Sequence, residues 1–324
     1  MEKIKIGILG TSDIAFRRFL PALMKNNDFE YIGVASRKYY KTKAFIDNFG
    51  GLGYEGYDSL INDSNIDALY IPLPPALHFK WAMKALNAGK HVLLEKPLAT
   101  RKDECYEIIE CAESRNLAVH ENYMFLYHSQ LKKIKEFLNE NLIGEVRLYR
   151  VAFGFPRRAA TDFRYNKELG GGALLDCGGY PVKLASDLLG EKIEVTASRL
   201  NYISEFDVDI YGTATLENGN GEVAQISFGM DNSYKCELEI WGSEATLYTN
   251  RIFTAGDGFV PELVIKSDKI ETIELIPDDQ FLGSIKHFFN AVKYEEVRRK
   301  NYQQIATQAN LINKIKRGNE QNDY

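Results

Sequence analysis

The chain opens with a short apolar run that leads directly into a glycine turn. Ile4–Leu9 reads IKIGIL and is followed without a spacer by Gly10-Thr-Ser-Asp-Ile-Ala15. A strand, a tight turn and a helix start are the context in which the fingerprint G-x-G-x-x-G/A binds a dinucleotide pyrophosphate. Gly10 and Ala15 match this pattern, and Ser12 replaces the second glycine. The segment predicts an α/β fold with a nucleotide at this turn, although a glycine turn of another α/β protein has a similar sequence.

The residues after the second predicted strand indicate which nucleotide this turn would hold. That strand, Phe29 to Ala35, ends in Ser36-Arg37-Lys38 and not in an acidic residue. A carboxylate there binds the ribose hydroxyls of NAD, whereas a hydroxyl and two cations bind a ribose phosphate. We therefore predict a preference for NADP(H), with a solvated basic turn as the alternative.

Apolar runs and amphipathic segments alternate over the first third of the chain, which is the βαβ order of a doubly wound Rossmann domain. We place this domain at residues 1–121. Its further predicted strands lie at 66–71, 91–95 and 117–121, and its predicted helices at 40–49, 76–88 and 101–115.

Beyond residue 121 the order changes to strands in succession. Long alternating runs lie between residues 193 and 276, and Asn218-Gly-Asn-Gly221 predicts a hairpin turn between two of them. This pattern indicates an α+β domain with a large, mostly antiparallel open sheet, at residues 122–317, for substrate binding and oligomerisation. A chain with 45% hydrophobic residues can form both cores. The remaining predicted elements are helices at 130–141, 278–296 and 301–316, a strand at 145–155 and a disordered tail at 318–324.

Charge and cysteine content restrict the class of function. A net charge of −5 without a basic tract argues against a nucleic-acid binder. No apolar run reaches membrane-spanning length, and the first strand leaves no room for a signal peptide, so we expect a cytoplasmic protein. No metal site is expected. Reduced thiols are expected because the cysteines lack C-x-x-C or framework spacing at Cys105, Cys111, Cys177 and Cys236.

Glu95-Lys96-Pro97 ends the apolar run that begins at His91. A charged residue at the carboxyl end of a buried parallel strand faces the crevice where open α/β sheets bind ligands. Lys96 is therefore a candidate catalytic residue, and the alternative is a lysine that simply reaches water. The bond before Pro97 is a candidate for the cis form.

A proline-rich loop lies before this strand and is separated from it by one predicted helix. Pro72, Leu73 and Pro74 follow the strand at 66–71 and are expected to stiffen a loop over the cofactor, or only to set a strand-to-helix turn. His78, just after this loop, is expected to shape it, and the alternative is a structural histidine.

A glycine-rich segment, Leu169 to Val182, lies between the predicted strand at 145–155 and the alternating runs that begin at residue 193. Its triple glycine suggests that the backbone packs closely against another group. Asp176 and Tyr180 are four residues apart and share one face if the segment is helical. A carboxylate beside a phenol can tune it as a general acid for carbonyl reduction. A core tyrosine with a satisfied hydroxyl is the alternative.

These segments resemble the Gfo/Idh/MocA oxidoreductases over essentially the whole chain. The closest matches are Ala88–Leu98, with the sequence AGKHVLLEKPL, and Gly170–Val182. In that family the lysine of the EKP motif contacts the reacting hydroxyl or carbonyl of the substrate and the nicotinamide ribose. The resemblance implies the same role for Lys96.

Many family members carry a D-x-x-x-H motif where this chain has Asp176 and Tyr180. The tyrosine favours a branch that resembles glucose-fructose oxidoreductase, xylose and dihydrodiol dehydrogenases and nucleotide-sugar 3-ketoreductases. Within this branch, the segments at 13–22, 121–126 and 162–165 are most similar to ketoreductases of deoxysugar biosynthesis. Those enzymes reduce a dTDP-linked 3-keto-6-deoxy sugar with NADPH.

The resemblance implies a mechanism. Hydride passes to the carbonyl carbon while Tyr180 donates a proton, Lys96 stabilises the developing alkoxide, and Asp176 orients one of them. Arg164 and Tyr165 are expected sugar or diphosphate contacts, or else a surface arginine and a packed tyrosine. A catabolic NADP-dependent dehydrogenase of a free sugar or cyclic diol, and a non-catalytic cofactor-sensing protein, are the alternatives. A homodimer or homotetramer through the second-domain sheet is also expected.

The candidate sites are thus defined by residue. The expected cofactor contacts are Gly10, Thr11, Ser12, Asp13, Ile14, Ser36, Arg37, Lys38, Pro72, Leu73, Pro74, His78, Glu95, Lys96, Pro97, Asn122 and Arg164. The expected substrate contacts are Lys96, Tyr123, Phe155, Arg164, Tyr165, Asp176 and Tyr180.

Overall fold

A computed structural model of the protein describes residues 2–321, which fold into two compact units. The first comprises residues 2–123 and 281–306, and the second comprises residues 124–280 and 307–321. The predicted boundary at 121/122 thus lies two residues from the observed passage of the chain between the units.

Strands and helices alternate through residue 121, and strands then dominate. The strands are β1 Ile4–Leu9, β2 Phe29–Ser36, β3 Leu52–Glu55, β4 Ala68–Ile71, β5 His91–Leu94, β6 Val119–Glu121, β7 Val146–Gly154, β8 Glu194–Tyr202, β9 Asp209–Glu217, β10 Val223–Gly229, β11 Lys235–Gly242, β12 Thr246–Asn250, β13 Glu262–Lys266 and β14 Ile270–Glu274. The α-helices are α1 Leu20–Met24, α2 Lys43–Phe49, α3 Tyr57–Ile61, α4 His78–Asn87, α5 Lys102–Ser114, α6 Ser129–Asn139, α7 Gly179–Leu189, α8 Gln280–Lys293 and α9 Glu295–Gln321.

The first unit is built on a parallel sheet with the strand order β3-β2-β1-β4-β5-β6. Its central strands are mostly apolar, and Ile6, Ile8 and Leu93 are completely buried. Such continuous apolar runs are typical of strands covered by helices on both faces. The chain order reverses between β1 and β4, so ligands are expected at the carboxyl ends of these strands. The predicted Rossmann architecture is confirmed.

The end of the sequence also contributes to the first unit. Edge strand β6 is covered by α9: Arg298 donates to Asn116 O, and Tyr302 donates to Leu117 O. Asn301 donates to Val119 O at 3.3 Å. These bonds occupy polar backbone groups at the edge of the sheet, which would otherwise be open to pairing with another chain. Residues 281–306 therefore pack with the first unit, although the sequence pattern grouped them with residues 122–317.

The second unit contains a sheet with the order β14-β13-β12-β11-β7-β10-β9-β8. It is antiparallel except between β7 and β10, which confirms the predicted mostly antiparallel open sheet. The predicted hairpin turn joins β9 to β10, and Asn218 Oδ1 accepts bonds from two backbone N–H groups within that turn. Alternation along β9 and β10 places Ala214, Leu216 and Ile226 in the core.

The last helix is longer than the sequence pattern predicts. Alpha-helical hydrogen bonding in α9 continues from Glu295 to Gln321, so residues 318–321 of the predicted disordered tail are helical. Residues 322–324 of that tail lie outside the described residues. Among residues 2–321, no helix has the length and apolar character needed to cross a membrane.

Candidate active site

The turn after β1 is shaped by contact with the loop after β4. Gly10 has φ +122°, and a Cβ atom added there would lie 2.8 Å from Leu73 Cδ2. The backbone conformation therefore favours glycine, and any other residue would also displace the side chain of Leu73. Ser12 Oγ accepts a bond from Ala15 N at 3.2 Å at the start of a π-helical turn, Ala15–Phe19. The half-buried Thr11 and Ile14 flank exposed Asp13 in this turn. The predicted nucleotide turn thus forms at the carboxyl end of β1.

The end of β2 presents a buried hydroxyl next to two exposed cations. Ser36 is 5% exposed, and its Oγ accepts a bond from Lys38 N at 3.3 Å. The side chains of Arg37 and Lys38 are exposed, and neither forms an ion pair with any residue in the range 2–321. Both cations therefore remain available for an anionic ligand at this strand end.

His78 joins two loops at the carboxyl edge of the sheet. Its Nδ1 lies 2.7 Å from Pro97 O and its Nε2 lies 2.7 Å from Leu73 O. Burial lowers the pKa of His78 to about 4, against the effect of the two carbonyls, which raise it. As a neutral imidazole, His78 can donate to only one of these two carbonyl oxygens. It links the proline-rich loop that contains Pro72 and Pro74 to the end of β5.

Lys96 follows β5 at the same edge, and its peptide bond to Pro97 is cis, as the sequence suggested. The preceding residue, Glu95, accepts hydrogen bonds from the Tyr70 hydroxyl and from Asn122 Nδ2, both at 2.7 Å. Asn122 is 1% exposed. The structure thus brings together Glu95 and Asn122, which the sequence treated as separate cofactor contacts.

Tyr180 lies near the start of α7 in an aromatic environment of the second unit. Its ring centroid is 5.2 Å from that of Phe153 and 5.5 Å from that of Phe253. Phe125 lies at 5.9 Å. Tyr180 is 8% exposed. A phenol held by three rings has a fixed orientation, because rotation of its ring would open gaps in a packed cluster.

Arg164 forms an ion-pair cluster with two carboxylates of the same unit. Its Nε donates to Asp176 Oδ2 at 2.7 Å and its Nη1 to Asp162 Oδ1 at 3.1 Å. Burial lowers the pKa of Arg164, but the two carboxylates outweigh this effect and raise it. Asp176 and Arg164, both predicted site residues, therefore form one fixed polar group.

Asp176 lies in a π-helical turn, Leu174–Gly178, that precedes α7. Such a turn closes hydrogen bonds between residues five apart. The four-residue spacing from Asp176 to Tyr180 therefore does not have the α-helical geometry that the sequence analysis assumed. The turn is tied down by Asp209, whose Oδ2 accepts a bond from Leu174 N at 2.7 Å.

The triple glycine permits this close approach. Gly172 has φ +118°, and an added Cβ atom would lie 2.4 Å from Asp209 Oδ1. No other residue type fits there without displacing Asp209. The predicted close packing of this backbone segment is confirmed.

Tyr165 has the contacts of a packing residue. Its hydroxyl donates to Met230 O and accepts from Arg158 N, both at 3.0 Å, and its ring stacks on Phe206 at 4.4 Å. It is 6% exposed. This geometry favours the packed tyrosine over the substrate contact.

Replacing Tyr165 by phenylalanine should test that interpretation. Because the change leaves Met230 O and Arg158 N without their partner, it should lower the free energy of unfolding by about 1–3 kcal/mol. The KM for substrate should change by less than about twofold if the hydroxyl makes only these two bonds. Denaturant unfolding and steady-state kinetics would be measured. A large rise in KM with unchanged stability would instead place this hydroxyl on the substrate.

Two further predicted substrate contacts lie in different units. Tyr123 is 1% exposed at the end of β6 in the first unit. Phe155 follows β7 in the second unit and is half-buried, with Arg158 over its ring at 5.2 Å.

Three residues that hold the site in place were not among the predicted site residues. Tyr70 on β4 bonds to Glu95 after β5, and Asp209 on β9 bonds to the turn before α7. Asp162 holds Arg164 from two residues away. Only the last of these is a local relation, and sequence spacing alone could have indicated it.

Comparison with known proteins covers both units. Residues 4–123 match an oxidoreductase family with an NAD-binding Rossmann fold, described as GFO_IDH_MocA, and residues 131–248 match the GFO/IDH/MocA C-terminal domain. The chain is 39% identical over 316 residues to a dTDP-3,4-didehydro-2,6-dideoxy-alpha-D-glucose 3-reductase from Actinomadura kijaniata. That alignment covers 97% of this chain and 95% of the relative.

A solved structure from the same organism is similar along its whole length. The 3-ketoreductase KijD10, in complex with NADP and TDP-benzene, has a TM-score of 0.94 and 38% identity and covers 98% of each chain. Variants of that enzyme with a lysine replaced by alanine or glutamate, or a tyrosine by phenylalanine, also have solved structures of high similarity.

A more distant relative has a different activity. D-xylose 1-dehydrogenase (NADP(+)) 2 of Haloferax volcanii is 28% identical over 312 residues, which is 95% of each chain. The matches at both domains and over the full length define the relationship. This chain belongs to the Gfo/Idh/MocA family of oxidoreductases.

Proposed function

We propose that the protein is an NADPH-dependent reductase of the keto group of a dTDP-linked 3-keto-6-deoxyhexose. The observation that carries this proposal is the full-length similarity to a dTDP-sugar 3-reductase and to KijD10 with NADP and TDP-benzene. The similarity includes both the dinucleotide-binding unit and the second unit, so it bears on cofactor and substrate alike.

The residues at the ends of β1 and β2 fit an NADP(H) cofactor. The turn at Gly10, which lies at the carboxyl end of β1 and leads into Ala15–Phe19, is where a pyrophosphate would lie. Ser36, Arg37 and Lys38 supply a hydroxyl and two exposed cations for the ribose phosphate. When bound, NADPH supplies the hydride for the reduction.

The protein's own residues have three roles in this proposal. Tyr180, fixed by its aromatic neighbours, donates a proton to the carbonyl oxygen. Lys96 places a positive charge where negative charge develops on that oxygen. Asp176 holds Arg164, which binds an anionic part of the substrate or cofactor.

The KijD10 variants support the choice of Lys96 and Tyr180. The replaced lysine and tyrosine of KijD10 are separated in sequence by the same number of residues as Lys96 and Tyr180. We therefore assign the corresponding pair here to the chemical step.

Binding of dTDP tests the substrate class. We expect calorimetric titration of the NADPH complex with dTDP to show binding at micromolar to low millimolar concentration, because a diphosphonucleoside supplies binding energy away from the reacting carbon. Thymidine alone is the matched control and should bind far more weakly, since it lacks the diphosphate. Absence of dTDP binding at millimolar concentration, together with efficient oxidation of free xylose, would contradict the proposal.

The second candidate function is an NADP-dependent dehydrogenase of a free sugar. The specific observation in its favour is the full-length match to a D-xylose 1-dehydrogenase within the same family. Its lower identity, 28% against 39%, places it behind the reductase. A non-catalytic, cofactor-sensing protein is disfavoured because Lys96 and Tyr180 are both present.

The outer face of the second-unit sheet is the surface on which we propose that subunits associate. It forms a shallow concavity of about 510 Å³. Its lining mixes both charge signs with an aromatic ring, as in Arg150, Glu239 and Tyr248, and Trp241 nearby is 51% exposed. Such a mixed, partly aromatic surface is typical of protein interfaces. The oligomer would be a homodimer or homotetramer.

A cytoplasmic location is also part of this proposal. The four cysteines, at positions 105, 111, 177 and 236, are free thiols in the structure. Free thiols fit a reducing compartment.

A further inference from the structure

A buried chain of hydrogen bonds in the first unit ends at Glu95, the residue before Lys96. Glu95 Oε1 accepts bonds from Tyr70 and from the amide of Asn122. On its other side, Asn122 Oδ1 accepts a bond from Ser284 Oγ at 2.7 Å. Ser284 lies on α8 and is 1% exposed. Asn122 and Ser284, which lie far apart in the sequence, therefore support the position of Glu95.

The acceptor role of Glu95 fixes the direction of these bonds. Its Oε1 accepts from Tyr70 and from the amide of Asn122, so Asn122 turns its NH₂ group toward Glu95 and its oxygen toward Ser284. The hydroxyl group of Ser284 then donates its proton to the hydrogen bond with Asn122 Oδ1. Consequently Ser284 Oγ accepts from Nε2–H of His120, which lies 2.9 Å away.

The series of hydrogen bonds continues from His120 to Asn301 and His287. With its proton on Nε2, His120 has an accepting Nδ1, which lies 3.5 Å from the amide nitrogen of Asn301. Asn301 Oδ1 lies 2.7 Å from Nε2 of the half-buried His287. Donors therefore point in one direction from His287 to Glu95, an arrangement in which each bond polarises the next toward the carboxylate.

We propose that Asn122, Ser284 and His120 are positioning residues, which hold Glu95 as an anion in a fixed place directly before Lys96. The anion in turn places a negative charge beside Lys96 at the end of β5, and the charge of Lys96 favours that anion. The inference rests on the proposed function for the catalytic part of Lys96, but the state of Glu95 can be measured without any reaction.

Opposing effects set the pKa of Glu95, and the hydrogen bond from the amide of Asn122 is one of them. Burial raises the pKa of Glu95 above its ordinary value, although the hydrogen bonds from Tyr70 and Asn122 and the charge of Lys96 act to lower it. The titratable groups that face Glu95 are Tyr70 from β4 and Lys96 from its own segment. His78 is the further titratable group near Lys96, and burial lowers its pKa. Losing the amide donor therefore leaves the effect of burial less opposed.

The test uses Asn122→Asp, which preserves the shape of the side chain and the acceptor for Ser284. It places a second carboxyl group against Glu95, and two carboxyl groups that share a site retain one proton between them. We expect the ionisation midpoint of Glu95 to rise by about one pH unit or more. Ser284→Ala, which removes the group that orients the amide, should cause a smaller rise in the same direction. The midpoint is read from the infrared band of the protonated carboxyl group in the full-length protein, assigned by its loss in Glu95→Gln.

Kinetics supply the second readout. The acid limb of kcat should move to higher pH together with the infrared midpoint, and kcat at pH 7 should fall by about tenfold or more in Asn122→Asp. Tyr302→Phe, which removes a buried hydroxyl bond to Leu117 O at the opposite end of β6, is the matched control and should leave the midpoint and the pH profile unchanged.

Two results would overturn the proposal. One is an unchanged infrared midpoint in both Asn122→Asp and Ser284→Ala. The other is an equal loss of kcat at every pH, which Tyr302→Phe reproduces, because that pattern reports general destabilisation. If the wild-type protein fails to reduce a dTDP-linked keto sugar, the proposed function fails separately, and the infrared titration still decides the state of Glu95.

Discussion

Replacing Lys96 by alanine should lower turnover of the keto sugar by about two orders of magnitude or more. The reason is that a positive charge aimed at the developing alkoxide acts only in the transition state, so its loss lowers kcat. Replacing Tyr180 by phenylalanine should have an effect of similar size, since it removes the proposed proton donor. Stopped-flow measurement of NADPH oxidation at saturating substrate reports both effects.

Each variant has a control in its own unit. Lys102→Ala removes an exposed cation at the start of α5, and Tyr149→Phe removes a buried phenol of β7, 3% exposed. Both controls should keep wild-type turnover. Fluorescence titration should show that Lys96→Ala and Tyr180→Phe still bind NADPH. Wild-type turnover in Tyr180→Phe would mean that another group or water delivers the proton, and Lys96 would then be the first candidate.

Replacing Arg37 by alanine should weaken binding of NADPH by about 1.5–3 kcal/mol, the range for hydrogen bonds to charged groups. Arg37 is exposed and without an ion-pair partner among residues 2–321, so its whole charge is available to the ribose phosphate. NADH lacks that phosphate, and its kinetics should barely change. The measurements are equilibrium titrations with both cofactors.

Lys41→Ala is the control, because Lys41 is also an exposed cation but lies one turn beyond the strand end. It should weaken NADPH binding much less than Arg37→Ala does. An equal loss of affinity for NADPH and NADH in Arg37→Ala, or tighter binding of NADH by the wild type, would contradict the assignment.

The sequence was sufficient to predict the Rossmann sheet and the strand ends that carry Gly10, Arg37 and Lys96. Those features are local: an apolar run fixes a buried strand, and the residue that follows it must emerge at the carboxyl edge. Strand β3 escaped prediction because Leu52–Glu55 is short and half-exposed and carries no apolar run. Periodicity indicates burial on a face, and this strand has no such face.

Long-range pairings could not be read from the sequence. The amphipathic pattern of α8 and α9 shows that one face is buried, but not that residues 281–306 cover β6. The same limit applies to Ser284, whose bond to Asn122 joins positions in different parts of the chain. The π-helical turn before α7 was missed because its cause, the bond from Leu174 N to Asp209, is equally remote.

Isotope tracing tests directly whether the enzyme reduces a carbonyl carbon of a dTDP-linked sugar with hydride from NADPH. The most direct test is incubation of a dTDP-linked 3-keto-6-deoxyhexose with NADPH that carries deuterium at C4 of the nicotinamide, followed by mass spectrometry and NMR of the product. We predict one deuterium at carbon 3 of a sugar that is still linked to dTDP. No deuterium in the sugar, with efficient reduction of NADP by free xylose or a cyclic diol, would contradict the claim.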